Sequence, residues 1–163
     1  MGCADLVSTY AGLRQAAAWR LVRRDGVIIS GDGARDWLQG QLSQDVSALG
    51  DQVGSLETLV LSPQGKIDSY GRVTRIDGGR FLLDVSPGHG PVLLDRLRRF
   101  KLRVKAELEL VEDLHVAELR GPGLPASAGL APAGTGLQRL AVIEVDWPGW
   151  SGRDVVFAGE VAG

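Results

Sequence analysis

The chain has 163 residues, 44% of them hydrophobic, and a formal net charge of −2 from 18 basic and 20 acidic side chains. Such a chain can bury a sizeable core, which excludes intrinsic disorder, and its acid–base balance argues against a general nucleic-acid binder. One cysteine, Cys3, excludes an internal disulfide framework and a cysteine-rich metal site, and no apolar run approaches the roughly 18 residues that a membrane-crossing helix needs.

The N-terminus lacks the apolar centre of a signal peptide, and Leu6 stands where a myristoylation pattern requires Ser or Thr. A cytoplasmic protein with no membrane partner is expected, with Cys3 as an inert thiol. Residues 1–24 read as an N-terminal extension. "DGVIIS", Asp25 to Ser30, is a β-branched run that predicts a strand. Asp32 then offers an N-cap to "GARDWLQGQL", in which Ala34, Leu38 and Leu42, with Trp37, share a helical face. "SLETLVLS" and the segment from Lys66 to Ile76 predict two strands joined at "SPQG", where proline fixes φ and glycine accepts the left-handed region. "DGG" predicts the next turn, and "RFLLDVS" a third strand with Phe81, Leu83 and Val85 on one face.

Pro87 can open a second helix, whose Leu93, Leu97 and Phe100 recur at helical spacing opposite Asp95, Arg96, Arg98 and Arg99. "LRVKAELELVE" alternates apolar and charged residues from Leu102 to Leu110, the pattern of a half-buried strand with Val104 and Leu108 inside. "LHVAELR" continues as a strand, residues 121–136 form a Gly/Pro/Ala-rich loop, and "LAVIEVDW" and "DVVFAG" flank a turn at Pro148-Gly149. The elements predict an α+β fold: an antiparallel or mixed sheet with two main helices packed on it. The expected organisation is a domain over 25–120, the loop 121–136, and the start of a second, incomplete subdomain over 137–163.

Several candidate chemistries fail on spacing. His89 and His115 lack a second His or Cys at ligand spacing, so capping or solvated histidines are the simpler reading. "SGDG" lacks the spacing of a dinucleotide fingerprint, and no G-x-S-x-G elbow occurs. The basic run from Arg96 to Lys105 is followed at once by Glu107, Glu109, Glu112 and Asp113, which argues against nucleic acid as its partner.

The ordered series "VIISGDGARDWLQGQLSQDV", "LETLVLSPQGKIDSYGRV", "RFLLDVS", "LLDRLRRFKLRVKAELELVE" and "HVAELRGPG" resembles the N-terminal folate-binding region of the glycine-cleavage T-protein superfamily. Gly31, Asp32, Gly33 and Ala34 match its helix entry, and Leu38, Gln39, Ser43, Gln44, Asp45 and Val46 its helix exit. The resemblance runs from about Asp25 to Gly123. It implies a T-protein-like folate-binding fold, here without the family's C-terminal barrel. Aminomethyltransferases of the superfamily carry an acidic pair after the hairpin turn, where this chain has Ser69 and Tyr70. The G-K-x-x-S pattern at Gly65, Lys66 and Ser69 is similar to the YgfZ-type branch, folate-binding proteins implicated in maintaining iron–sulfur enzymes.

That resemblance implies a non-catalytic, tetrahydrofolate-binding accessory protein with iron–sulfur protein clients. The alternatives are a folate-dependent aminomethyl or methyl transferase, and a ligand-free protein-interaction scaffold. The branch's K-G-C-Y-x-G-Q-E signature is absent from these residues. The expected folate contacts are Gln44 at the helix exit with Ser69, Tyr70, Arg72 and Thr74 on the second hairpin strand. Tyr70, Arg72 and Thr74 alternate onto one side, with a ring for stacking, a cation for a carboxylate and a hydroxyl for hydrogen bonding. An ordinary solvated sheet face shows the same polarity. The final segment, with Trp147, Trp150, Val155, Val156 and Phe157, is expected to leave apolar surface uncovered and to favour self-association.

Overall fold

In the computed structural model the described residues are 7–8, 10–11, 14–122, 124, 137–147 and 150–159. Cys3, most of the 121–136 loop and the Pro148-Gly149 turn lie outside them, as do the side chains of Trp147 and Trp150. The described elements run β1 (Ala18–Ser30), α1 (Ala34–Gln39), a 3₁₀ turn (Val46–Leu49), β2 (Gly54–Leu61), β3 (Ile67–Asp77), β4 (Arg80–Val85), α2 (Gly90–Arg99), β5 (Glu107–Arg120), β6 (Gln138–Trp147) and β7 (Trp150–Ala158). This is an α+β chain whose β2–β3, β3–β4, β1–β4 and β6–β7 pairs are all antiparallel. No helix among the described residues is long and apolar enough to cross a membrane.

Two compact units divide the chain, Arg23–Leu114 and the combination of Met1–Val22 with His115–Gly163. In the first, the strands follow the order β2-β3-β4-β1-β5. Val27, Ile29, Val73, Leu83 and Val85 face one side, where Ala34, Trp37, Leu38, Leu93, Leu94 and Leu97 of the helices pack on them. In the second, β6 and β7 form a hairpin from Gln138↔Ala158 to Trp147↔Trp150, with Leu140, Ala141, Ile143, Val155, Val156 and Phe157 buried. The apolar surface expected at the end of the chain is therefore not formed by Val155, Val156 or Phe157.

Both helices are shorter than their periodicity suggests. α1 begins after Gly33, without a side-chain cap from Asp32, and ends at Gly40. Beyond it Leu42 bridges Val60, while Ser43 N–H donates to the Leu59 carbonyl at 3.0 Å and Leu59 N–H to the Ser43 hydroxyl at 2.9 Å. The unpaired edge of β2 thus captures residues that a longer helix would have used. α2 starts at Gly90 rather than at Pro87, with Pro91 in its first turn, and Leu94 takes the buried place expected for Phe100, which is 40% exposed.

Ahead of β5 the expected strand also starts late. Leu102 is 78% exposed and Arg103 adopts φ 56°, a left-handed conformation that no regular strand contains. Alternation resumes beyond it, with Ala106 buried and Val104, Leu108 and Leu110 packed against the core. Leu108→Ala should cost about 2 kcal/mol and Lys105→Ala no more than about 0.5, read from urea melts. Equal costs would contradict this placement of the strand.

Candidate functional site

The sheet face of the Arg23–Leu114 unit that is turned away from the helices carries Tyr70, Arg72 and Thr74, because β3 alternates sides with period two. Glu57 of β2 stands opposite Arg72, and Asp84 of β4 stands opposite it on the other flank. Arg24 of β1 completes the row, so that acid and base alternate across four neighbouring strands as Glu57, Arg72, Asp84, Arg24. The Arg72 Nε donates to Asp84 Oδ2 at 3.1 Å, and the Arg24 Nε donates to Asp84 Oδ1 at 2.8 Å. Both carboxylate oxygens of Asp84, a fully buried residue, are thereby engaged.

This arrangement corrects the reading of an exposed β3 face. Arg72 is 8% exposed and Thr74 0%, with no hydrogen-bond partner for the Thr74 hydroxyl. Arg72 is held inward because the Asp84 carboxylate beside it would otherwise be a buried, uncompensated charge. Tyr70 alone of the three presents a large surface, at 58% exposed. Ser69 lies on the opposite side of the strand from Tyr70, opposite Val60 of β2, so the structure does not bring these two together on one face. Gln44 is exposed and follows Ser43, which is bonded to the outer edge of β2, so its backbone stands about 10 Å from β3 at two strand spacings.

Asp68 also departs from simple alternation. Leu61 pairs with Ile67 and Val60 with Ser69, leaving Asp68 as the extra residue of a bulge. Its carboxylate meets Arg96 of α2 at 3.0 Å rather than sharing the face of Tyr70. The same guanidinium donates to the Leu61 carbonyl at 2.8 Å and lies over the Phe100 ring at 3.7 Å. Asp68 is therefore part of a brace between the hairpin turn and α2.

Glu57, Arg24 and Asp84 were missed as members of this face. Asp84 had a sequence signal, a lone carboxylate inside the apolar run "FLLDV", but its partners are remote in the chain. The Tyr70 phenol is raised above its usual range, first by a hydrogen bond to the Glu57 carboxylate, then by that group's charge and by burial, while Arg24 and Arg72 pull the other way. A phenol that holds its proton more tightly when folded contributes stability that is full below the ordinary phenol range and is lost as pH rises through the raised value. Absorbance titration should find Tyr70 ionising late, and Glu57→Ala should move it towards lower pH. An unchanged titration would remove Glu57 from contact with Tyr70.

What the face offers chemically is one exposed aromatic ring beside an exposed carboxylate, backed by two guanidiniums locked on a buried acid. The ring can stack on a flat heterocycle, and the carboxylate can accept from paired N–H donors.

Among solved structures the chain is similar to glycine cleavage system aminomethyltransferase T from Bartonella henselae, with a TM-score of 0.68 and 20% identity over 94% of this chain. It spans 45% of the length of that protein. The regulatory subunit of aspartate kinase from Thermus thermophilus aligns with a TM-score of 0.49 and 13% identity, over 90% of this chain and 89% of its own. No protein-family model matches the chain, and no curated protein sequence matches it. The similarity to aminomethyltransferase T is one of fold.

Proposed function

We propose that the chain binds a reduced folate, tetrahydrofolate, as a non-catalytic accessory protein of the YgfZ type that serves iron–sulfur enzymes. The observation that carries this reading is exposed Tyr70 with exposed Glu57 diagonal to it on the neighbouring strand, on one sheet face of a chain whose fold is similar to an aminomethyltransferase. A reduced pterin is a flat ring system with adjacent N–H donors along one edge. Tyr70 stacks on its plane and Glu57 accepts from that edge. Arg24, whose side chain is 23% exposed, supplies positive charge for the folate's carboxylates, while Arg72 fixes Asp84 and stays behind the ligand. Gln44, Ser69 and Thr74 are peripheral in this arrangement.

No aminomethyl transfer is expected, because Ser69 and Tyr70 occupy the positions where the aminomethyltransferases carry their acidic pair. The transferase reading keeps one specific support: Glu57 is a carboxylate in contact with Tyr70, and it would be the group to hold a proton beside a bound folate amine. Tyr70→Ala and Glu57→Ala should each weaken tetrahydrofolate binding by about tenfold, the scale of one lost stacking or charge-assisted contact. Quenching of tryptophan fluorescence and a turnover assay on the same samples check both statements. Binding that survives both substitutions would place the ligand elsewhere, and turnover at enzyme-like rates would favour the transferase.

A further inference from the structure

We propose that the end of α2 and the connection from it to β5 form a docking surface for an anionic lipid bilayer. Arg98, Arg99, Lys101, Arg103 and Lys105 follow one another here with no acid between them. All but the half-buried Lys101 are exposed, and none of them enters an ion pair among the described residues. Two large apolar side chains are interleaved with them, Phe100 at 40% and Leu102 at 78% exposed. Four residue steps keep Arg99 and Arg103 within about 14 Å of each other, so their potentials overlap at physiological salt, where the screening length is about 8 Å. A charged plane responds to that summed potential and needs no matched row of side chains.

Both ends of the connection are fastened to the body of the Arg23–Leu114 unit. The Trp37 indole N–H donates to the Phe100 carbonyl at 3.2 Å, and Gly33 N–H donates to the Lys105 carbonyl at 3.1 Å. Val104 packs against the core and Ala106 is buried. Between these fixed points Leu102 presents an aliphatic side chain to water, flanked by Lys101 and Arg103. Apolar insertion together with attraction of cations is what holds a peripheral protein on an anionic bilayer. The nearest exposed acids in the chain, Asp95 and Glu107, lie outside the run at either end, so the attraction is local and Leu102 must add to it. Nucleic acid is the weaker fit, because Leu102 offers no ring on which a base can stack and one face of the Phe100 ring already carries the Arg96 guanidinium at 3.7 Å. The expectation of no membrane partner rested on the lack of a membrane-crossing run and of a lipidation pattern, and a loop lying on a bilayer surface requires neither.

Co-sedimentation of the whole chain with lipid vesicles tests the proposal. Phosphatidylcholine vesicles containing about 30% phosphatidylserine should take up the protein in about 50 mM NaCl, and pure phosphatidylcholine vesicles should not. Raising NaCl to about 500 mM should weaken the binding by about tenfold or more. Lys101→Gln with Arg103→Gln should weaken it by about twentyfold, since each cation near such a surface is worth about fivefold. Leu102→Ser should weaken it by about tenfold with the charge unchanged. Circular dichroism should show both variants folded. Failure to bind the anionic vesicles, equal uptake by the neutral ones, or either variant binding like the parent would each overturn the proposal. So would a parent that binds duplex DNA, or pairs with a second copy through these residues, while ignoring the vesicles.

Discussion

Asp84→Ala is expected to lower the free energy of unfolding by about 3–5 kcal/mol, the range for breaking a buried charge pair from one side. The carboxylate is fully buried and joins Arg24 to Arg72, so its removal leaves two like charges facing each other across the gap. The Arg72 side chain, 10% exposed, has little water to replace what it loses. Asp84→Asn keeps the shape and one acceptor and should fall between the wild type and alanine. Replacing Arg72 by Met together with Asp84 by Leu should recover much of the loss, because apolar packing can match a buried ion pair. Urea melts with an unchanged slope would give these differences directly. A cost below about 1 kcal/mol for Asp84→Ala would mean that the row of charges is solvated.

The second large effect is expected at Asp25. This side chain of β1 accepts the Gly88 N–H at 2.7 Å and the Gly90 N–H at 3.1 Å, and so caps α2 from a distant strand. His89, the residue in the N-cap position, provides no capping bond from its side chain. Asp25→Ala leaves two donors without an acceptor in a place where the residue itself is 5% exposed, for an expected cost of about 3 kcal/mol. Asp25→Asn retains an acceptor and loses only the favourable charge at the helix N-terminus, for about 1 kcal/mol. Gly90 is tied to the same contact, since a Cβ there would stand 2.8 Å from the Asp25 Cβ and 3.0 Å from Leu110 Cδ1. Hydrogen exchange at Gly88 and Gly90 should accelerate in Asp25→Ala while the β6–β7 hairpin stays protected. Loss of protection everywhere, with no local step, would contradict a capping role.

These two aspartates show where sequence reading reaches its limit. The meander of β2, β3 and β4 was legible because its turns carry Pro, Gly and Asp at turn positions and its strands alternate locally. Which acid meets which base was not, since Asp25 bonds residues more than sixty positions away and Arg24 reaches Asp84 across the sheet. Tyr70, Arg72 and Thr74 were correctly placed on one side, yet period two says nothing about whether that side meets water. Thr74 is buried and Tyr70 is open, four residues apart on the same strand. Bulges defeat alternation altogether, as at Asp68, and a single left-handed residue, Arg103, shortened a strand whose pattern looked continuous. The helix ends were misread for a related reason: edge pairing by Leu42 and Ser43 is a tertiary event that helical periodicity does not register.

Recognition of a reduced folate by the β3 face, as proposed above, depends on Tyr70 and Glu57. Isothermal titration of the whole chain with tetrahydrofolate, in parallel with Tyr70→Ala and Glu57→Ala proteins shown to be folded, tests it most directly. Saturable binding of one ligand per chain, weakened about tenfold by each substitution, is the predicted result. Absence of any binding heat change in the wild type, with tryptophan fluorescence also unmoved, would contradict it.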